Sequence, residues 1–174
     1  YVGEVLLLGL IAFHIIVALW TKQQHLAARP IGYAVKKSKG GPSKSNLASL
    51  NMIFSGVLLA VFIFIHVKSF RFGPAEAEGY KVAITTTHGS ETVRDLYRLV
   101  AEKFADPLYS GFYIFSMLLL AAHLRHGFWS AFQSIGAIRP SLEKPILCLG
   151  ILVALVLGAG FLALPVYFLV GGAR

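Results

Sequence analysis

Apolar residues run in four long blocks separated by polar connections, over about residues 3–21, 47–70, 108–132 and 145–170. A bilayer core is about 30 Å thick, so a helix needs roughly 20 mostly apolar residues to cross it. Each block predicts a spanning helix. Pro165, near the end of the last block, predicts a kink of a kind that membrane helices tolerate. Between the second and third blocks, "TVRDLYRLVAEKFADP" places Val93, Leu96, Leu99, Val100 and Phe104 at helical spacing, and Pro107 stops the pattern. That predicts a short amphipathic helix lying on the membrane surface or capping the bundle. The expected fold class is all-α: a transmembrane helical bundle of four spans plus this short helix, forming one domain over residues 1–174.

Composition agrees. The 174 residues are 56% hydrophobic and 14% charged, with mean hydropathy +0.70. A soluble domain needs more polar surface than that to cover its core. The net charge of +8 argues for orientation rather than nucleic-acid binding, because the basic residues lie between the apolar blocks. The first connection carries Lys22, Arg29, Lys36, Lys37, Lys39 and Lys44 and no acid, which predicts a cytoplasmic loop. Its middle, "KKSKGGPSKS", has the Gly, Ser and Lys content of a mobile loop and lacks the full spacing of a phosphate loop. The second connection, residues 71–107, mixes acids and bases and suits the outer side. Cys148 is the sole cysteine, so neither a disulfide within the chain nor a cysteine-rich iron–sulfur site is available. The sequence opens at Tyr1 without an initiating Met, and the expected reading is a chain that begins inside a longer one.

Histidines supply the candidate chemistry. His25 and His88 fall in predicted loops and read as ordinary solvated residues, but His14, His66 and His123 each lie inside a different apolar block. An imidazole in hydrocarbon is costly, so an ionisable group there is a functional candidate. One such histidine is ordinarily just hydrogen-bonded to a neighbouring helix. Three on three spans point instead to iron ligation, since neutral imidazole is a good iron ligand and a bundle can hold haem between facing helices. His14 lies eight positions before Lys22, roughly 12 Å from the inner edge at about 1.5 Å per residue. His123 lies sixteen positions after Pro107, roughly 24 Å from the outer edge. In a core of about 30 Å these two lie at similar depth and are predicted to grip one haem. His66, nineteen positions after Leu47, is roughly 28 Å from the inner edge and needs another partner.

Small residues near these positions either make room for a porphyrin or simply allow close helix packing: Gly9, Ala12 and Ala18 near His14, Ser55 and Gly56 on the second block, Ser116, Gly127 and Ser130 near His123. Arg125 and His126, near the inner boundary, suit either haem propionates or lipid headgroups. Glu4, Lys68 and Arg71 are candidates for a quinone near the outer face.

Several stretches carry a likeness: "ARPIGY", "SLNMIFSG" with "FIFIHVKSFRFG", "DLYRLVAEKFADPLY" and "HLRHGFWSAFQSIG". With these the chain resembles the cytochrome b558-type membrane anchor of succinate dehydrogenase/fumarate reductase, complex II. The resemblance implies five spans and two b haems, each with two histidine ligands. It implies that His14 and His123 hold the inner haem and His66 the outer one, with the fourth ligand on a first family span missing from this sequence. Truncation of the sequence is the expected reason. Leu50 also stands where some relatives are expected to carry Arg. The resemblance further implies flavoprotein and iron–sulfur partner subunits, electron exchange with a quinone, expected to be menaquinone, and a place in the cytoplasmic membrane. The chain itself has no dinucleotide fingerprint and no cysteine cluster, so dicarboxylate chemistry belongs to the partners. The competing readings are a haem b subunit of another quinone-linked oxidoreductase, and a haem-free anchor or transporter. Transport predicts more polar residues at midplane and broken helices facing one another.

Overall fold

The computed structural model describes residues 2–28, 51–87 and 89–171. Four helices are long and apolar enough to cross a membrane: Val2–Ala28, Met52–Arg71, Pro107–Ser134 and Glu143–Leu169. They match the four predicted blocks, except that the first helix runs on to Ala28, past the predicted end at residue 21, and so takes in Lys22 and His25, which were expected in the loop. The chain divides into two compact units, Tyr1–Gly56 and Val57–Arg174.

In the first unit, α1 (Val2–Ala28) has no buried residue. Leu6, Leu10, Phe13 and Trp20 are all exposed. Such a surface is stable only against lipid or protein. The basic residues Arg29, Lys36, Lys37, Lys39 and Lys44, the first four residues of the predicted second span, Leu50 among them, and His88 lie outside the described residues.

The second helix, α2 (Met52–His66), continues through one π turn, Val67–Arg71, closed by Phe72 N–H donating to the Val67 carbonyl at 3.2 Å. Gly73 follows. A Cβ there would run into the Ser69 carbonyl oxygen, so the chain leaves this wide turn only through glycine. A two-stranded antiparallel hairpin comes next, β1 (Lys81–Thr86) and β2 (Gly89–Arg94), with Val82 opposite Val93 and Ile84 opposite Glu91. This hairpin corrects the all-α expectation. It also corrects Val93, which belongs to β2 rather than to the amphipathic helix. The β-branched residues Val82, Ile84, Thr85, Thr86, Thr92 and Val93 favour extended backbone. An isolated hairpin is marginal. This one is fastened at its base, where Asp95 N–H donates to the Tyr80 carbonyl at 2.9 Å and Arg94 Nε donates to the Pro74 carbonyl at 2.9 Å.

The amphipathic helix is present as α3 (Leu96–Ala105). Asp95 caps it, accepting from Arg98 N–H at 2.9 Å. Leu99 and Phe104 are buried, at 1% and 4% exposure. Asp106 both ends α3 and caps α4 (Pro107–Ser134), accepting from Leu108 N–H at 2.8 Å. Pro107 takes the first helical position, where a missing N–H costs nothing. Thus Pro107 stops one helix and starts the next. Ser110 Oγ donates to the Phe104 carbonyl at 2.6 Å and locks the two together.

The last helix, α5 (Glu143–Leu169), runs antiparallel to α4, with Gly150 beside Phe128 and Gly158 beside Ala121. These two glycines set how closely the helices approach. A Cβ on Gly150 would lie 2.9 Å from Phe128 Cδ1, and one on Gly158 would lie 2.8 Å from Ala121 Cβ. Small residues at such contacts let backbones pack without a hydrophobic driving force. Replacing Gly158 by Val should therefore cost roughly 1–3 kcal/mol through overpacking. Gly160, where a Cβ meets nothing within 4 Å, is the control. Thermal unfolding in detergent should show a lowered midpoint for Gly158→Val and little change for Gly160→Val.

Candidate functional site

The second unit holds an apolar cleft of about 280 Å³ where α2, α3, α4 and α5 meet. Phe62, His66 and Phe70 line it from the second span, Phe104 from α3, Tyr113 from α4 and Pro165 from α5. The spacing explains the convergence. Phe62, His66 and Phe70 recur every four residues and so share a helix face. Tyr109 and Tyr113 do the same at the start of α4. Pro165 has no N–H to give the carbonyl of Phe161, and both residues line the cleft.

Tyr113 is the hub. Phe62 and Phe104 meet its ring edge-on, with centroids 5.0 and 4.9 Å away. Phe104 stacks in turn on Phe168 of α5 at 6.4 Å. Phe62, Phe104, Tyr113, Met117 and Phe168 form the buried core of this unit. The Tyr113 hydroxyl accepts from Tyr109 OH at 3.0 Å and lies 3.3 Å from His66 Nδ1. The His66 ring sits between Phe62 and Phe70, at 5.7 and 5.3 Å.

His66 thus stands at the site. His14 is on α1 in the first unit and is exposed. His123 is half-buried on α4 in the second unit. Arg125 on the same helix is exposed, and His126, on the face of His123, is half-buried. The quinone candidates Glu4, Lys68 and Arg71 are exposed and none of them lines the cleft. Arg71 lies over the Phe72 ring at 5.9 Å.

The small residues divide. Ser116 is buried, and its Oγ donates to the Phe112 carbonyl of its own helix at 2.8 Å. It serves packing. At Gly9 and Gly127 a Cβ would meet nothing within 4 Å, so neither marks a close helix contact among the described residues. An axial imidazole needs one ring nitrogen held by a partner and the other available. His66 meets that condition, with Nδ1 against Tyr113 and no hydrogen bond to Nε2 among the described residues. His66 is exposed and is the one imidazole lining the cleft, so among the described residues the cleft offers a single candidate ligand. The aromatic partners were not singled out from sequence; the four-residue spacing in "FIFIHVKSF" and "LYSGFY" was the signal available.

A clamp on α3 holds the adjoining loop. Tyr80 OH and Arg98 Nε both donate to Glu102, the latter at 2.7 Å, and the Arg98 guanidinium lies 4.9 Å over the Tyr80 ring. The hydrogen bond from Tyr80, then that from Arg98, holds the Glu102 carboxyl below its ordinary 4.5. The same bonds raise the Tyr80 phenol and the Arg98 guanidinium.

No family model, curated protein or solved structure matches the chain.

The depressed carboxyl gives the clamp a pH dependence. Its contribution is full above the ordinary glutamate value and is lost as pH falls through the lowered one. Hydrogen exchange at Tyr80 and the hairpin base should quicken on acidification below about pH 4.5. Glu102→Gln should exchange faster already at neutral pH and lose that acid step.

Proposed function

We propose that the chain is the membrane-anchoring dihaem cytochrome b subunit of a succinate:quinone oxidoreductase. In this reading it carries electrons between an iron–sulfur subunit and a membrane quinone, expected to be menaquinone. The observation that carries the reading is one imidazole on each of three helices of membrane-spanning length, at His14, His66 and His123. Histidines so placed are expensive unless used. Apart from them the spans offer few polar groups, which disfavours a polar transport path.

His14 and His123 are assigned to the inner haem on their matching depth in sequence, and His66 to the outer haem. A haem b held by two of these imidazoles would supply one-electron transfer. The residues of the chain do the rest. Imidazoles fix the position of each group between helices. Arg125 would supply positive charge and His126 a hydrogen-bond donor for propionates near the inner boundary. Phe62, Phe104 and Met117 would give the outer site an apolar wall. The basic residues Lys36, Lys37 and Lys39 face the cytoplasm by the positive-inside rule and suit docking of the iron–sulfur subunit. The flavoprotein partner performs the dicarboxylate chemistry.

A reduced-minus-oxidised absorption spectrum of the purified complex should show b-type bands, and their absence would remove the reading. His14→Ala and His123→Ala should each abolish the same haem signal and spare the other. Loss of different signals would break the pairing.

A further inference from the structure

We infer that His66 serves the cleft as a hydrogen-bond donor, and that the cleft takes a neutral, flat, membrane-soluble ring with a carbonyl acceptor, a quinone. The inference rests on the reading above for the identity of that ring as a quinone. At His66 it departs from that reading, because a nitrogen that donates a proton does not ligate iron. The pairing of His14 with His123 is untouched.

The proton can be followed along the side chains. Tyr109 OH donates to the Tyr113 oxygen at 3.0 Å, and the Tyr113 hydroxyl lies 3.3 Å from His66 Nδ1. Tyr113 spends its own proton on Nδ1. A neutral imidazole whose Nδ1 accepts carries its hydrogen on Nε2. His66 is exposed and lines the cleft, and among the described residues no hydrogen bond engages Nε2. Nε2 is open, as an iron ligand would be, but it is a donor.

The cleft fits the same class of ligand. Of the residues lining it, only His66 and Tyr113 carry a side-chain nitrogen or oxygen, and no Lys, Arg, Asp or Glu is among them. A carboxylate or phosphate finds no counter-charge there, so a neutral ligand is favoured. The rings of Phe62, Phe70 and Phe104 offer walls against which a flat ring can stack or meet edge-on. An apolar groove of about 400 Å³ adjoins the cleft between α3 and α5, sharing Leu96, Val100 and Leu164 with it. A hydrocarbon tail suits that groove. Small-molecule sites span about 300–1,000 Å³, and cleft and groove together fall in that range. Such sites are mostly apolar with a few placed polar groups; here the placed group is Nε2–H.

The probe is a naphthoquinone with one prenyl tail, isotope-labelled at its carbonyls and added to the intact complex. Infrared difference spectra should show one carbonyl stretch lowered on binding, and His66→Phe should return it toward its unbound position. The dissociation constant of the probe should rise about three- to tenfold in that variant, the loss of one hydrogen bond. His66→Gln, which keeps an N–H donor, should recover part of both. The b-type bands of His66→Phe should keep their wild-type amplitude. Loss of one b-type signal in that variant would overturn the inference and leave His66 a haem ligand. An unlowered carbonyl stretch in the wild type would overturn it as well. A carbonyl shift that needs His66, in a complex without b-type bands, would remove the cytochrome reading alone and uphold the inference. If His66→Phe does not accumulate, the wild-type carbonyl band decides, and an unlowered stretch overturns the inference.

Discussion

Phe62 and Phe104 both meet the ring of Tyr113 edge-on, at 5.0 and 4.9 Å, and α2, α3 and α4 are joined there. Stacking of Phe104 on Phe168 draws in α5. In a chain whose large apolar side chains are mostly exposed, lipid and protein interior are equally apolar, so simple hydrophobicity cannot choose which faces meet. Ring geometry can. An edge-on aromatic pair contributes about 0.5–1.5 kcal/mol beyond the area it buries. Several such pairs at one point give the unit a specific arrangement where generic apolar contact would not.

The cluster also explains how a polar pair survives there. Tyr113 and His66 have costly groups in an apolar setting, and each is the other's partner. Tyr109 extends the pair toward the start of α4. The packing that holds the helices together therefore also orders His66, the histidine that lines the cleft. Structural and chemical roles fall on the same residues.

Sequence patterning was most legible where the physics is additive. The apolar length of each span can be summed along the chain, and all four emerged, although the first helix continues past its apolar block through Lys22 to Ala28. The α3 helix was visible because Leu96, Leu99, Val100 and Phe104 keep a 3.6-residue period. The hairpin was hidden because its strands are largely exposed and carry no clean alternation, and because Val93 happens to fit the period of the helix that follows. The π turn after His66 has no pattern of its own; Gly73 is its only trace. At the site, His66 was legible as an isolated polar residue in an apolar run. Its aromatic cage was not, since Phe and Tyr in a membrane helix look the same whether they face lipid or each other. Gly150 and Gly158 show the same limit: a glycine announces close approach only once its neighbour is known.

The π turn at Val67–Arg71 is one residue wider than an α-helical turn. It is in effect an insertion absorbed inside a helix. One residue advances an α-helix by about 100°, and the wide turn takes up that excess, so deleting one residue within it would close an ordinary helical turn and leave the Gly73–Pro74 corner that receives Arg94 near its place. A second inserted residue would find no such slack and would swing that corner, and the hairpin moored to it, by more than a quarter circle. The segment can lose one position more safely than it can gain one.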